Sequence, residues 1–214
     1  MRKKSESRRN AIIDAAISVF HEVGYELASM STIAARAGSS KTTLYSYFPS
    51  KTDLFVVAIQ CIAEREFRAL QTTLQTGQDV GTVLYEYGKR YLRAVLSPTN
   101  LSMRRMVQHE AGRTDVGALV YEHGLKACWT AMADYLQSAM NREQLRAADP
   151  WASAMHLRAL YEAELVEFHL LGISQQVGEQ VFAEVMQRAV NAFMAGYGPD
   201  ASAGAGQKRH QPTN

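Results

Sequence analysis

The sequence predicts an all-α protein, with a small N-terminal helical unit followed by a longer helical bundle. Apolar residues recur at three- and four-residue steps along most of the chain, as one buried face of a helix requires. No segment alternates apolar and polar residues in the way that a half-buried strand does. Gly and Pro interrupt the pattern at intervals of helical length, so the 214 residues divide into a series of helices.

The first predicted helix covers about residues 6–23 and is amphipathic. Its apolar residues follow helical spacing and share one face, which can pack against the helices that follow. Gly24 can adopt the left-handed conformation that ends a helix. The apolar residues of this face are Ile12, Ile13, Ala16, Ile17, Phe20 and Val23.

A short second helix is predicted within residues 30–38. Ser31 or Thr32 can cap its start, and Gly38 can supply the left-handed residue that ends it. Small alanines on this helix allow a neighbouring helix to approach closely. The predicted end at Gly38 leaves room only for a tight turn before the next capping residue.

The third predicted helix lies within residues 39–51, where Ser39 or Ser40 can cap the first free amides. Leu44 and Phe48 are four residues apart and therefore share the buried face. Helix, tight turn and helix form the helix-turn-helix pattern of DNA-binding domains. We therefore expect an N-terminal three-helix DNA-binding domain.

The remaining faces of the third helix carry an ammonium group, hydroxyls and phenols but no carboxylate. These groups can hydrogen-bond to phosphates or base edges, and a surface without acids suits a polyanion. We predict that bases are contacted by Lys41, Thr42, Thr43 and Tyr45. Thr32, Tyr47 and Lys51 are predicted to hold phosphates, and Ser40 completes the DNA-binding set.

Pro49 is predicted to stop the third helix, and Ser50 can cap a fourth helix that runs to about residue 73. Asp53 lies three residues after Ser50, as in a capping box. The free amides of this helix start, together with Lys51, can clamp a phosphate; the alternative is a plain helix start. The fourth helix would connect the two domains.

The motif resembles the signature of the TetR family of bacterial transcriptional regulators, which runs roughly G-V-S-x-x-x-L-Y-x-[YH]-F-x-x-K. Ser39 replaces the usual Val of the family, and Thr42 replaces a frequent Gly. The resemblance implies a DNA-binding role for this domain and a phosphate contact for Lys51. The matching residues are Gly38, Ser40, Leu44, Tyr45, Tyr47, Phe48 and Lys51.

The charge of the chain is distributed unevenly. Residues 1–51 hold eight Lys or Arg against four Asp or Glu, although the whole chain has a formal net charge of only +2. The basic N-terminal arm is either a solvated tail or a segment that neutralises phosphates or enters a minor groove.

Beyond the connector, helices are predicted over about residues 80–96, 101–111, 116–140, 150–171 and 176–195. Breaks are predicted at residues 77–79 and 97–98. These helices form a bundle for ligand binding and dimerisation. The predicted domains are therefore 1–51 for DNA binding, 52–197 for the bundle, and a disordered tail over 198–214, which has no apolar periodicity.

The last two predicted helices are apolar on more than one face, which indicates that one face meets a second copy. The family resemblance implies a four-helix dimer interface made by these helices. A homodimer also fits an inverted-repeat operator in double-stranded DNA, because a two-fold axis relates two recognition helices. The apolar residues are Met155, Leu157, Leu160, Tyr161, Leu165, Phe168, Leu171, Val181, Phe182, Val185, Met186, Val190 and Phe193.

Large, adaptable side chains in the middle helices predict a pocket for a small apolar or aromatic effector; the alternative for each residue is core filling. The segment 106–145 also resembles the AefR-like group of the TetR family. The predicted ligand-binding residues are Tyr91, Met106, His109, Trp129, Met132, Tyr161 and Glu162.

No catalytic, cofactor or metal-binding motif is present: there is no G-x-S-x-G, Walker loop, H-E-x-x-H or C-x-x-C. Two cysteines, Cys61 and Cys128, fit a reducing compartment, with a redox switch as the alternative to inert packing. No apolar run reaches the roughly 18 residues of a membrane span, and the N-terminus lacks a signal-peptide pattern. We therefore expect a cytoplasmic protein with no membrane contact.

Together these features predict a transcriptional repressor, not an enzyme, that leaves its operator when a small molecule binds. The linkage is reciprocal. A ligand that favours wrongly spaced recognition helices lowers the affinity for DNA by the same factor by which DNA lowers the affinity for the ligand. Two alternatives stay open: an activator of the same fold, or a nonspecific DNA-binding protein without an effector.

Overall fold

A computed structural model describes residues 2–74, 78–112, 115–173 and 177–199, and this part of the chain is all-α as predicted. Eleven α-helices run through the described residues, and one π-helical turn, Tyr121–Leu125, joins the seventh to the eighth. They are α1 (Arg2–Leu27), α2 (Met30–Arg36), α3 (Lys41–Tyr47), α4 (Lys51–Gln71), α5 (Val80–Val95), α6 (Pro98–Glu110), α7 (Val116–Val120), α8 (Lys126–Asn141), α9 (Pro150–Glu162), α10 (Val166–Leu170) and α11 (Glu179–Tyr197).

The N-terminal helices α1 to α3 pack with the first half of α4 around one apolar core. The predicted apolar face of α1 contributes to it, and Phe20 meets Phe55 of α4 edge to face, with ring centroids 4.9 Å apart. Leu44 and Phe48 are fully buried in the same core, which confirms the predicted inner face of α3. The predicted stop at Gly24 is a kink at φ 77°, after which α1 continues to Leu27.

Serine and aspartate side chains cap most of these helices, although not always the predicted ones. Ser29, instead of Ser31 or Thr32, accepts from the Thr32 amide and begins α2, because Ser29 has the extended backbone that a cap requires. Ser40 caps α3 and Ser50 caps α4. Phe48 ends α3 in an extended conformation, as the residue before Pro49 must.

The C-terminal bundle is built from α5, α8, α9 and α11 around a second core rich in aromatic rings. Trp129, Tyr87 and Tyr161 are among its largest buried side chains. Tyr161 also donates a hydrogen bond of 2.7 Å to the Leu84 carbonyl, which satisfies its buried hydroxyl. The predicted dimer-forming residues of α11 mostly lie in this core: Phe182, Val185, Met186, Val190 and Phe193 are all buried within the chain.

The bundle departs from the predicted helices in three places. The 97–98 break is a helix start, because Ser97 caps α6 and Pro98 occupies its first turn, where a missing amide costs nothing. The helix expected over 116–140 contains the π-helical turn. The helix expected over 150–171 ends at Glu162, and α10 begins after Leu165, whose backbone (φ −126°) is not helical.

Two helices connect the N-terminal unit to the bundle. The first half of α4 is buried in the N-terminal core, whereas Leu70 near its end lies in the bundle core. Helix α6 packs against α1 and also against α5, and its Met103 joins the N-terminal core. Helices α4 and α6 therefore link the N-terminal unit to the bundle by direct packing.

Several predictions concern residues outside the described part of the chain, namely most of the 198–214 tail and parts of the breaks near residues 77 and 176. Among the helices that the structure describes, none combines the length and apolar character that crossing a membrane would require.

Candidate nucleic-acid interface and adjoining cavity

Helix α3 lies on the protein surface and is fixed from below by its two buried residues. Ser40 holds its first turn by accepting from the Thr43 amide at 3.0 Å. Lys41 and Thr42 are exposed, and Tyr45 has 49% of its surface exposed despite its size. No acidic residue occurs in α3. The helix therefore presents a rigid, acid-free polar face to solvent.

The other predicted DNA-binding residues are partly engaged in the protein itself. The Thr43 hydroxyl lies 2.8 Å from the Ser40 hydroxyl, and the Thr32 hydroxyl lies 2.8 Å from that of Ser29. Tyr47 is half-buried, and its hydroxyl lies 3.2 Å from that of Ser5 in α1. These contacts orient the hydroxyls around the helix starts and connect α3 to the N-terminal arm.

The Lys51 side chain binds backbone carbonyls of its own chain. Its ammonium group donates to three backbone carbonyls near the end of α1: Tyr25 at 2.8 Å, Glu26 at 3.2 Å and Ala28 at 3.2 Å. It also lies 4.4 Å from the centre of the Tyr25 ring. An ammonium group has three donors, so these contacts use all of them. In this structure Lys51 therefore joins α4 to the segment between α1 and α2, and its phosphate contact stays a prediction.

A cavity of about 200 Å³ lies in the bundle between α4, α5, α6, α7, the π-helical turn, α8 and α9. Most of its wall is aliphatic or aromatic, as in small-molecule sites. Its described lining residues are Ile59, Ile62, Ala63, Leu70, Tyr91, Ala94, Val95, Asn100, Met103, Arg104, Val107, Val120, Gly124, Leu125, Cys128, Trp129 and Arg158.

Only two of the seven predicted ligand-binding residues, Tyr91 and Trp129, line this cavity. Met132 and Tyr161 are instead fully buried in the bundle core. The sequence pattern did not separate them from pocket residues, because aromatic and Met side chains suit both a pocket and a core. Glu162 lies behind the wall, where it binds side chains that do line the cavity.

Met106 and His109 line a different cleft, between the end of α1 and α6. There the His109 Nε2 atom lies 3.7 Å from a Glu26 carboxylate oxygen. Within the described residues, Glu26, His109 and Glu110 are the one group with the composition of a metal site, with ligand atoms within 4.8 Å of one another. Because Glu26 and His109 are exposed, we interpret the cluster as a polar contact between α1 and α6.

Glu162 is the centre of a buried polar cluster at the cavity wall. Its carboxylate accepts from Arg104 at 2.9 Å, from Arg158 at 2.9 Å and from the Tyr91 hydroxyl at 2.5 Å. Burial opposes ionisation of Glu162, but the charge of Arg158, the Tyr91 hydrogen bond and the charge of Arg104 outweigh it, so the pKa is lowered. Burial raises the pKa of Tyr91, which therefore stays a neutral donor.

Sequence reasoning missed Arg104 and Arg158, which are the charged residues of the described cavity wall. Each lies on an amphipathic helix and resembles an ordinary solvated arginine in the sequence. The usable signal was the i,i+4 spacing of Arg158 and Glu162, which places the two side chains together on α9. Cys128 also lines the cavity, and burial raises the pKa of its thiol, so it is not activated as a nucleophile.

Two family models match the chain. Residues 12–58 match the model described as bacterial regulatory proteins of the tetR family, and residues 82–199 match the C-terminal domain of AefR-like transcriptional repressors. The second match alone covers more than half of the chain. The chain belongs to the TetR family. Members of this family are transcriptional regulators, not enzymes, and bind DNA operators as dimers.

Curated relatives match less than half of this TetR-family chain. The activator FasR of Mycolicibacterium smegmatis is 36% identical over 74 residues, which are 35% of this chain and 34% of FasR. The repressor KstR of the same organism is 33% identical over 98 residues, which are 46% of this chain and 44% of KstR. The chain thus spans less than half the length of these relatives.

Solved structures match over nearly the whole chain. A TetR-family transcriptional regulator from Mesorhizobium loti has 26% identity and a TM-score of 0.85, over 91% of this chain and 98% of that one. The flavonoid-responsive regulator FrrA has 29% identity and a TM-score of 0.73, over 92% of this chain and 100% of that one. The arrangement of an N-terminal helix-turn-helix domain and a C-terminal helical domain is therefore that of the family.

Proposed function

We propose that the protein is a sequence-specific transcriptional regulator of the bacterial cytoplasm that binds an inverted-repeat operator as a homodimer. In this proposal a small apolar or aromatic effector releases it from DNA. The observation that carries the proposal is α3, an exposed helix without acids that is held rigid by buried Leu44 and Phe48.

The roles on α3 follow from exposure. Lys41, Thr42 and Tyr45 are exposed and are proposed to contact base edges, with Thr43 beside them. Phosphates are proposed to be held by hydroxyls at the edges of the motif, in Thr32, Ser40 and Tyr47. For Lys51 we propose a structural role instead of a phosphate contact, which is supported by the three carbonyls that its ammonium group binds within the protein.

Dimerisation is supported by exposed apolar residues near the end of the bundle. Phe168, Leu171 and Ile173 are each more than half exposed, and Val181 lies at the start of the next helix. Large apolar side chains exposed together favour contact with a second copy. Two half-sites about 34 to 36 Å apart require two recognition helices related by a two-fold axis. Light scattering at micromolar concentration is expected to give the dimer mass, and a monomer mass would contradict this part of the proposal.

The path from effector to DNA is proposed to run through α4 and α6, which both line the cavity and pack against α1. A ligand that displaces α4 or α6 would alter the position of the N-terminal unit and hence the spacing of the two α3 helices. The test is displacement of a fluorescent operator by an effector. Release of DNA at effector concentrations that also raise the melting temperature is expected. Ligand binding without any change in operator affinity would contradict the linkage.

A repressor and an activator of this fold differ in where the operator lies relative to the promoter. The repressor KstR and the activator FasR are both among the relatives. We favour a repressor because the model that matches residues 82–199 describes AefR-like repressors. A reporter fused to the regulated promoter is expected to rise when the gene is deleted; a fall would establish an activator. The name of FrrA, a flavonoid-responsive regulator, supports an aromatic effector.

A further inference from the structure

We propose that the effector is an apolar or aromatic carboxylate whose anionic group is bound by Arg104 and Arg158 in the bundle cavity. This inference rests on the proposed function for its biological meaning, since it specifies the chemistry of the effector. It is carried by the arrangement of charges at one wall of an otherwise apolar cavity.

The cationic wall comes from two different helices. Arg104 lies on α6 and Arg158 on α9, and both side chains line the cavity. Arg104 donates a hydrogen bond to Glu162 from one terminal nitrogen, and Arg158 donates one from its Nε atom. A guanidinium group has five N–H donors in a planar fork, so each arginine retains donors for a second carboxylate.

The charges of this cluster do not balance. Among the described residues, Glu162 is the single carboxylate bound to the two guanidinium groups, and its side chain is only 14% exposed. Arg104 and Arg158 are 31% and 24% exposed, so neither is a freely solvated surface residue. No acidic residue occurs among the described residues that line the cavity. Counting the described residues, one positive charge is therefore uncompensated at a half-buried wall, and an anionic ligand would neutralise it.

A further donor, on a residue that lines the cavity, has no acceptor among the described residues. Trp129 lines the cavity and is 1% exposed, yet its indole Nε1–H has no hydrogen-bond partner among the described residues. An indole N–H can only donate, so a ligand that satisfies it must offer an acceptor. The free polar groups identified at the cavity wall are thus the Trp129 indole N–H and the remaining N–H groups of the two arginines. All of them are donors, which favours a ligand rich in acceptor oxygens.

The size of the cavity limits the ligand. A cavity of about 150 Å³ holds benzene, so the volume of about 200 Å³ suits a body somewhat larger than one aromatic ring. The aliphatic wall on the side of α4 suits an apolar body, and Tyr91 and Trp129 can pack against an aromatic face. A naphthalene ring with one carboxylate has the required size and polarity.

The test measures binding of 2-naphthoate and of its neutral analogue 2-naphthamide to the full chain by titration calorimetry, in the absence of DNA. Because hydrogen bonds to charged groups are stronger than neutral ones, naphthoate is expected to bind about tenfold more tightly than naphthamide. Equal affinities for the two compounds, or no binding of either at millimolar concentration, would overturn the proposal.

Two variants shift the charge of the wall in opposite directions. Arg104→Met leaves Glu162 paired with Arg158 and removes the excess charge, so naphthoate binding is expected to weaken about tenfold. Glu162→Gln keeps the shape of the side chain but leaves two unopposed cations, so naphthoate is expected to bind several-fold more tightly. Naphthamide affinity should stay constant in both. Arg142→Met, at an exposed site at the end of α8, is the matched control and should change neither affinity.

A purely structural role for the cluster predicts a different pattern, in which both variants weaken both compounds through loss of cavity shape. That pattern would overturn the proposal. The outcome is also separable from the proposed function. Charge-dependent naphthoate binding by a protein that selects no operator would contradict the regulator, whereas operator selection with equal binding of acid and amide would contradict only the carboxylate.

Discussion

Replacing Lys51 by Met should destabilise the N-terminal unit without removing a phosphate contact. The substitution keeps an unbranched side chain but deletes the ammonium group that binds the carbonyls of Tyr25, Glu26 and Ala28. It also removes the cation 4.4 Å from the Tyr25 ring. The connection between α4 and the end of α1 would then depend on apolar packing alone.

The size of the effect follows from these contacts. A hydrogen bond to a charged group contributes about 1.5–3 kcal/mol, and a cation–π contact about 0.5–1 kcal/mol. The carbonyls lie near the surface and can bind water once the lysine is gone, so most of the sum is recovered. We expect a loss of about 2 kcal/mol, which lowers the melting temperature of a chain of this length by about 4–8 °C. Differential scanning fluorimetry measures this shift.

The salt dependence of DNA binding distinguishes the two roles of Lys51. A lysine that neutralises a phosphate contributes about 0.9 to the slope of log affinity against log salt concentration. We expect Lys51→Met to leave this slope unchanged at temperatures where the variant is folded. Lys41→Met is the matched control: Lys41 is exposed and has no hydrogen bond or ion pair with any described residue, so its loss should weaken operator binding without lowering the melting temperature. An unchanged melting temperature for Lys51→Met, with a slope reduced by about 0.9, would refute the structural role.

Three further predictions test the bundle and the DNA surface. Gly88→Ala places a Cβ atom 2.7 Å from the Tyr161 ring and should lower the free energy of unfolding, measured in urea, by about 1–2 kcal/mol. The control Gly117→Ala makes ordinary contacts only and should raise it by up to about 1 kcal/mol. Equal effects of the two variants would contradict the packing of α5 on α9. Because the folded pKa of Glu162 is lowered, its ionisation stabilises the fold above the unfolded pKa of about 4.3, and this contribution is lost as the pH falls through the folded pKa. The melting temperature of the wild type should therefore fall toward that of Glu162→Gln below about pH 4.3, and a constant difference across this range would argue against the charge cluster. Thr42→Ala should change base preference in a binding-site selection, and an equal loss of affinity on all sequences would place Thr42 on phosphates instead.

The exposed face of α3 could be predicted because its determinants are local. Leu44 and Phe48 fix which side of α3 is buried, so the positions of Lys41, Thr42 and Tyr45 follow from helical geometry alone. Lys51 could not be assigned in this way. Its three carbonyl partners lie 26, 25 and 23 residues earlier in the chain, and only the packing of α4 against α1 brings them together.

The cavity could be predicted only in kind, because seven segments of the chain converge on it. Aromatic and Met residues suit both a pocket and a core, so Met132 and Tyr161 were indistinguishable from Tyr91 and Trp129 before the helices were packed. The break after Glu162 had no local signal either. The residues that follow Glu162 are compatible with a helix, and the break instead lets α10 approach α6, where Arg105 donates to the Leu170 carbonyl at 2.8 Å.

The measurement that tests the central claim most directly is selection of bound duplexes from a random pool of double-stranded DNA by the full chain, at a stated salt concentration near the physiological value. A dimer that reads bases through α3 is predicted to enrich one inverted repeat whose half-site centres lie about one helical turn apart, or a whole number of turns. A folded, dimeric protein that enriches no sequence, and whose binding depends only on salt, would contradict sequence-specific regulation.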